Sequence, residues 1–276
     1  MHTPQFVRPA LEDLIALALA AGREIMAVRD AGFDAIDKAD GSPVTIADQR
    51  AEAIIEAGLE RYGAPMIGEE SCAVGRIPEL AERFFCVDPL DGTRDFIESD
   101  NGEFTVNIAL VEHGAPVMGV VYAPATQEMY AGEPGRALKG RYDARTGAEL
   151  APLAQIAASQ PTGPWRVIAS RRSGANAETD AFITALGPHA RIAASSSIKF
   201  CRLAEGAADL YPRFGDVSEW DAAAGHAILS AIGGGVMRLD GSPLLYGAYQ
   251  QKFLVHGFIA FSGAAAASAA RGAITR

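Results

Sequence analysis

Residues 87–96 read VDPLDGTRDF, and the fold turns on what that stretch is for. Asp88 and Asp91 stand directly after the apolar run Phe84-Phe85-Cys86-Val87, which reads as a buried strand carrying a carboxylate at its C-terminal end. Pro89 fixes φ in the turn, and Gly92 lets the backbone bend without a Cβ clash. Like charges at such a corner repel and are poorly desolvated, so positive charge is expected to meet them. Converging carboxylates are the oxygen donors that Mg²⁺ selects. Backbone N–H groups at a helix start, here those of Gly92 and Thr93, suit a phosphate. An Asp helix cap with an Asx turn is the plainer reading, and it needs only one aspartate. On this stretch alone both readings stand.

The nucleophile motif of haloacid-dehalogenase phosphatases, DxDGT, separates its aspartates by one residue and follows the first strand of the domain. Here Pro89 and Leu90 intervene, and two helices and a strand are predicted upstream, which argues against an aspartyl-phosphate intermediate.

Working outward, IGEES puts Glu69 and Glu70 at the end of a short strand, SPVTIADQRAE puts Thr45 and Asp48 in a capping-box arrangement, and EWDAAAGHAIL puts Asp221 just before a small-residue helix. Singly these read as a solvated acidic loop, a capping box and an N-cap. As a set, each acid lies at an element terminus, where side chains can turn into one shared crevice.

The apolar periodicity of Leu11, Leu14, Ile15, Ala18, Leu19, Gly22 and Ile25 predicts a helix over 9–29, and a second helix starts near Thr45 with Ile54, Ile55 and Leu59 on one face. From residue 103 the texture becomes an antiparallel hairpin series. The stretch 145–164, rich in small residues and Pro, is the expected connection between a 1–150 half carrying most of the acids and a 151–276 α/β half carrying Asp221, within one catalytic domain over 1–276.

With 276 residues, 49% hydrophobic and 21% charged, the chain has ample material for a core, and a net charge of −10 excludes a surface that coats nucleic acid. Cys72, Cys86 and Cys201 are odd in number and lack CxxC spacing, which fits free thiols in a reducing compartment. Glu12 and Asp13 interrupt the first apolar run, so a signal peptide is not expected, and no apolar run is long enough to span a membrane. A cytoplasmic location follows as an expectation, with peripheral contact on the inner membrane left open. The Ala-rich tail reads as prone to fraying.

On GEES, VDPLDGTRDF and WDAAAGHAIL, in that order, nearly the whole chain resembles the inositol monophosphatase superfamily of Mg²⁺-dependent, lithium-sensitive phosphatases. DGSPVTIAD, NGEFTVNIALVEHGAPVMGVVYAP and SSSIKFCRLAEGAADLYPRFG look most like its bacterial 3′(2′),5′-bisphosphate nucleotidases. The resemblance implies an α+β fold, a layered αβαβα sandwich. It implies hydrolysis of adenosine 3′,5′-bisphosphate to AMP and phosphate by a metal-activated water, with 3′-phosphoadenylyl sulfate left open as a further substrate. Inositol-1-phosphate or histidinol-phosphate phosphatase is the alternative within the superfamily, and a non-catalytic metal- or nucleotide-binding regulator the alternative outside it.

Residue by residue, the resemblance implies that Glu70, Asp88, Asp91, Asp221 and the Leu90 carbonyl hold two to three Mg²⁺ ions, with Asp48 beside the weakest. Gly92 and Thr93 grip the scissile phosphate, which Glu70, Leu90, Asp91 and Asp221 also approach. Thr93, hydrogen-bonded to Glu70 or Asp48 and backed by Thr45, orients the attacking water. Ser196, Lys199 and Arg213 are implied near the nucleotide, with Ser170, Arg171 and Arg172 as further candidates. The partner expected is a small phosphorylated nucleotide, not a nucleic-acid polymer, and a homodimer is left open. His226 and Trp220 read as packing residues and His113 as an exposed turn residue.

Overall fold

A computed structural model describes residues 6–37, 43–99, 102–157, 161, 163–170 and 177–274. Helix α1 (Leu11–Ala31), against an expected 9–29, buries Leu11, Leu14, Ile15, Ala18, Ala21 and Ile25 at helical spacing. Strands β1 (Ala35–Asp37) and β2 (Pro43–Thr45) form a small ribbon leading to α2 (Ile46–Leu59). Thr45 caps α2, accepting from Ala47 N at 3.1 Å while its own N–H donates to Asp48 Oδ2 at 2.8 Å.

After β3 (Met66–Gly68) and α3 (Glu69–Ala73) comes β4 (Arg83–Asp91), which runs on past Asp88 to the second aspartate with an irregular register between the two. Helix α4 (Thr93–Glu98) follows. The antiparallel series then takes shape as β5 (Thr105–Glu112), β6 (Ala115–Ala123), β7 (Glu128–Glu133), β8 (Arg136–Tyr142) and β9 (Glu149–Gln155). These strands form a seven-stranded sheet in the order β3-β4-β5-β6-β7-β8-β9, parallel only between β3 and β4. Strand β9 lies inside the stretch expected to connect the halves. It is an edge strand, where Pro152 and small side chains are tolerated, and that composition masked it in the sequence.

The second half alternates as expected: β10 (Trp165–Ser170), α5 (Ala177–Ala185), β11 (His189–Ala194), α6 (Ile198–Ala204) and β12 (Leu210–Arg213). Then come β13 (Val217–Ser218), α7 (Ala223–Ser230), β14 (Gly235–Met237), β15 (Leu254–Val255), β16 (Phe258–Phe261) and α8 (Ala264–Ile274). A five-stranded sheet is ordered β11-β10-β12-β16-β14, and β13 pairs with β15 in a separate ribbon. The Ala-rich tail is not frayed over 264–274. Alanine is the best helix former, and Ala266, Ala267, Ala270 and Ala273 bury one face of α8.

Helices α1 and α2 cover one face of the large sheet, and α6 and α7 fill the space between the sheets. Helices α5 and α8 close the far face of the small sheet. This is the expected α+β arrangement, an αβαβα sandwich. Strand β4 shows how the sequence sets the layers. Phe85 and Val87 enter the core beneath α1 and α2, whereas Phe84 and Cys86 enter the core between the sheets. With both faces covered, the strand reads as an unbroken apolar run. Helix α7 has β5, β6 and β7 on one side and β14 on the other, so it is buried nearly all round, and small residues let the layers approach. Among the described residues no helix is long and apolar enough to cross a membrane.

Candidate active site

The C-terminal end of β4, the first turns of α3 and α4, the turn before α6 and the turn before α7 meet around a crevice of about 450 Å³. Asp88 and Asp91 enter it from β4, and Asp221 enters from the 3-10 turn Glu219–Asp221, held by Ser218 N donating to Asp221 Oδ2 at 3.0 Å. One carboxylate oxygen from each of these three lies within 4.8 Å of those of the others. Burial raises the Asp88 carboxyl well above the usual range, and the charges of Glu69, Asp91 and Asp221 add to the rise. Burial, then Asp91 and Glu69, push Asp221 up to about 8. Burial also raises Asp91, although the Lys199 ammonium and the Ser197 hydroxyl oppose it. The crevice therefore holds more negative charge than its own cations neutralise.

The glutamate that lines this crevice is Glu69, not the expected Glu70. Both open α3, where successive side chains diverge by about 100° around the axis, so only one can face Asp88. A strand-like reading of IGEES gave no phase to choose by.

Asp48, only 1% exposed, carries the expected partner of Thr93: Thr93 Oγ1 donates to Asp48 Oδ1 at 3.1 Å and is also 3.2 Å from the Leu90 carbonyl oxygen. The Thr45 hydroxyl donates to the other oxygen of Asp48 at 2.8 Å. Gly92, the cap of α4, has φ +88, where an L side chain is strained, and a Cβ there would overlap the Ser196 hydroxyl. Leu90, Gly92 and Thr93 all line the crevice.

Among the candidates for the nucleotide, Ser170, Ser196 and Arg213 line the crevice, and Ser170 and Arg213 also line a recess of about 100 Å³ beside it. Ser196 has φ 49, and its hydroxyl donates to the Asp91 carbonyl at 3.0 Å. Lys199 lies beneath, 5% exposed, with Nζ donating to the Ser196 carbonyl at 2.6 Å and resting over the Tyr211 ring. Burial draws its ammonium down to about 8 against the pull of Asp91. Arg171 and Arg172 lie outside the described residues.

Sequence reasoning missed Ser197, whose hydroxyl lies 2.9 Å from Asp91 Oδ2 and 2.7 Å from the Asp221 carbonyl while accepting from Asn107 Nδ2 at 2.9 Å. Asn107 pairs with Asp88 across β4 and β5, and a polar residue in the middle of so apolar a strand was the available signal. His226 is buried against the Tyr246 hydroxyl and held neutral, its pKa drawn down to about 4 by desolvation. Trp220 packs on Phe253, and His113 is exposed.

The model of the inositol monophosphatase family matches residues 7–269, and the chain belongs to that family. It is 43% identical over 252 residues to the 3′(2′),5′-bisphosphate nucleotidase CysQ of Shigella flexneri, covering 90% of this chain and 98% of that protein. Its fold matches the crystal structure of CysQ from Bacteroides thetaiotaomicron with a TM-score of 0.75 and 37% identity, over 91% of this chain and 96% of that one. An inositol monophosphatase from Anabaena shares the fold, with a TM-score of 0.73 at 24% identity over 96% and 95% of the two chains.

Proposed function

We propose that this chain is a Mg²⁺-dependent phosphatase that hydrolyses the 3′-phosphate of adenosine 3′,5′-bisphosphate to AMP and phosphate. The observation that carries the reading is the meeting of Asp88, Asp91 and Asp221, with oxygens within 4.8 Å, in a chain whose relatives are bisphosphate nucleotidases. The donor set suits a hard divalent cation: every candidate ligand is an oxygen, and the carboxyl pKa values are raised by burial first and by mutual repulsion second, both of which bound positive charge would offset. Glu69, Asp88, the Leu90 carbonyl, Asp91 and Asp221 would hold two to three such ions, with Asp48 beside the weakest. Bound ions would supply Lewis acidity toward the phosphate and acidify a water.

The chain's own groups do the rest. Thr93 Oγ1, donating to Asp48, keeps a lone pair for a water proton and can pass that proton to Asp48. The two hydrogen bonds from Thr45 to Asp48 Oδ2 hold the acceptor oxygen Oδ1 in place. Gly92 lets the backbone come close to the phosphate. Arg213 and Ser196, which also line the crevice, offer cationic and hydroxyl partners for the second phosphate.

Phosphate release from adenosine 3′,5′-bisphosphate, inositol 1-phosphate and histidinol phosphate, each with and without a chelator, tests the reading. The bisphosphate is expected to be preferred by more than about tenfold, with activity lost to the chelator and restored by Mg²⁺. A comparable preference for either monophosphate overturns it.

A further inference from the structure

Helix α3 has a cap that its own sequence does not provide. The residue before it, Gly68, has no side chain, yet the N–H groups of Glu70 and Ser71 are both satisfied, each at 2.8 Å, by the carboxylate of Glu52 on α2. The Ser71 hydroxyl donates to that carboxylate as well and accepts from Arg76 at 2.8 Å. Glu52 is 2% exposed. Gly68 has φ −129, which any residue adopts, so its smallness is what matters: a Cβ there would sit 2.5 Å from Glu52 Oε2.

A cap borrowed from another helix is a large investment for a helix of five residues. What it fixes is the first residue, Glu69, whose side chain lines the acidic crevice. Glu52 also stands one turn after Asp48, on the same buried face of α2. One helix thus grips Thr93 through Asp48 and the Glu69 turn through Glu52.

We infer that Glu52 is a positioning residue, which sets the direction of Glu69 and so the affinity of the crevice for divalent cations. The inference rests on the metal-dependent reading above, but its test does not need the substrate. Mg²⁺ alone is titrated into the chelator-treated protein by calorimetry, for wild type, Glu52→Gln, Gly68→Ala and Ser71→Ala. An amide at position 52 turns its NH2 toward one of the two α3 N–H groups and removes the charge, and a methyl at position 68 displaces the carboxylate without removing any charge.

Affinity is expected to fall by on the order of tenfold in Glu52→Gln and Gly68→Ala and by less in Ser71→Ala, which keeps both backbone contacts. Saturating Mg²⁺ should restore most of the turnover number. If Glu52→Gln fails to fold, Gly68→Ala carries the test. Unchanged isotherms with a lower melting temperature in the metal-free variants would reduce Glu52 to a structural cap and overturn the inference. A wild-type chain that leaves the bisphosphate uncut while Glu52→Gln still loses Mg²⁺ affinity would sink the nucleotidase reading and leave the role of Glu52 standing.

Discussion

Two groups of charge lie beside α6, one half-buried and one deeper, and they behave in opposite ways. Toward β7 and β8, Glu128 and Glu205 meet Arg202 at 2.7 and 2.8 Å and Lys139 at 3.3 and 2.6 Å, with the Tyr130 hydroxyl donating to Glu205 at 2.8 Å. Burial would raise Glu128, but the hydrogen bonds and charge of Arg202 outweigh it and hold the carboxyl down at about 2. In the crevice, Asp88, Asp91 and Asp221 lie deeper and are all raised. The first group is balanced within the protein and seals a seam. The second is left short of positive charge, and that shortage is what marks it as a site.

Removing an acid should therefore have opposite consequences in the two places. Asp88→Asn keeps an acceptor for the Leu90 N–H, which donates at 3.0 Å, and removes one repelling charge. Turnover is expected to fall by about 10²–10³-fold, while the melting temperature of the metal-free protein rises. A variant that keeps its activity, or melts lower, breaks the comparison. Gly92→Ala forces an L residue to φ +88 against Ser196, and an activity loss of about ten- to a hundredfold in the steady-state assay is expected from the displaced backbone.

Glu128→Gln should leave activity alone and lower stability by about 1.5–3 kcal/mol in urea melts. The sign with pH follows from the lowered carboxyl. Its contribution is complete above the unfolded value of about 4.3 and is lost as pH falls toward about 2, so the variant should flatten that acid limb. His226 acts in a separate window with a smaller effect. The native state keeps the ring neutral down to about 4, while the unfolded chain takes up a proton near 6.5, so stability falls as pH drops between those values. His226→Phe should remove that part of the profile, and an unchanged slope from pH 6.5 to 4 would contradict the buried neutral ring.

Chemistry and periodicity together carried much of this into view from the sequence. Asp88 and Asp91 announced themselves because two acids follow an apolar strand, and the alternation after residue 165 gave the second half of the sandwich. Phase was harder to read. Glu69 and Glu70 differ only by their angle on a short helix, which neighbours in space decide. Glu52 is hidden in the sequence behind the more apolar Ile54, Ile55 and Leu59, although the buried stripe of α2 runs through Asp48, Glu52, Ile55 and Leu59. Two acids on a buried stripe were the overlooked signal. Strand β9 escaped because its stability comes from pairing with β8, not from its own composition.

The most direct test is anomalous scattering from crystals soaked in Mn²⁺ in place of Mg²⁺. The account predicts strong peaks bonded to oxygens of Asp88, Asp91, Asp221 and Glu69. Crystals that bind Mn²⁺ elsewhere, or nowhere, while the enzyme in the same solution cleaves the bisphosphate at full rate would contradict it.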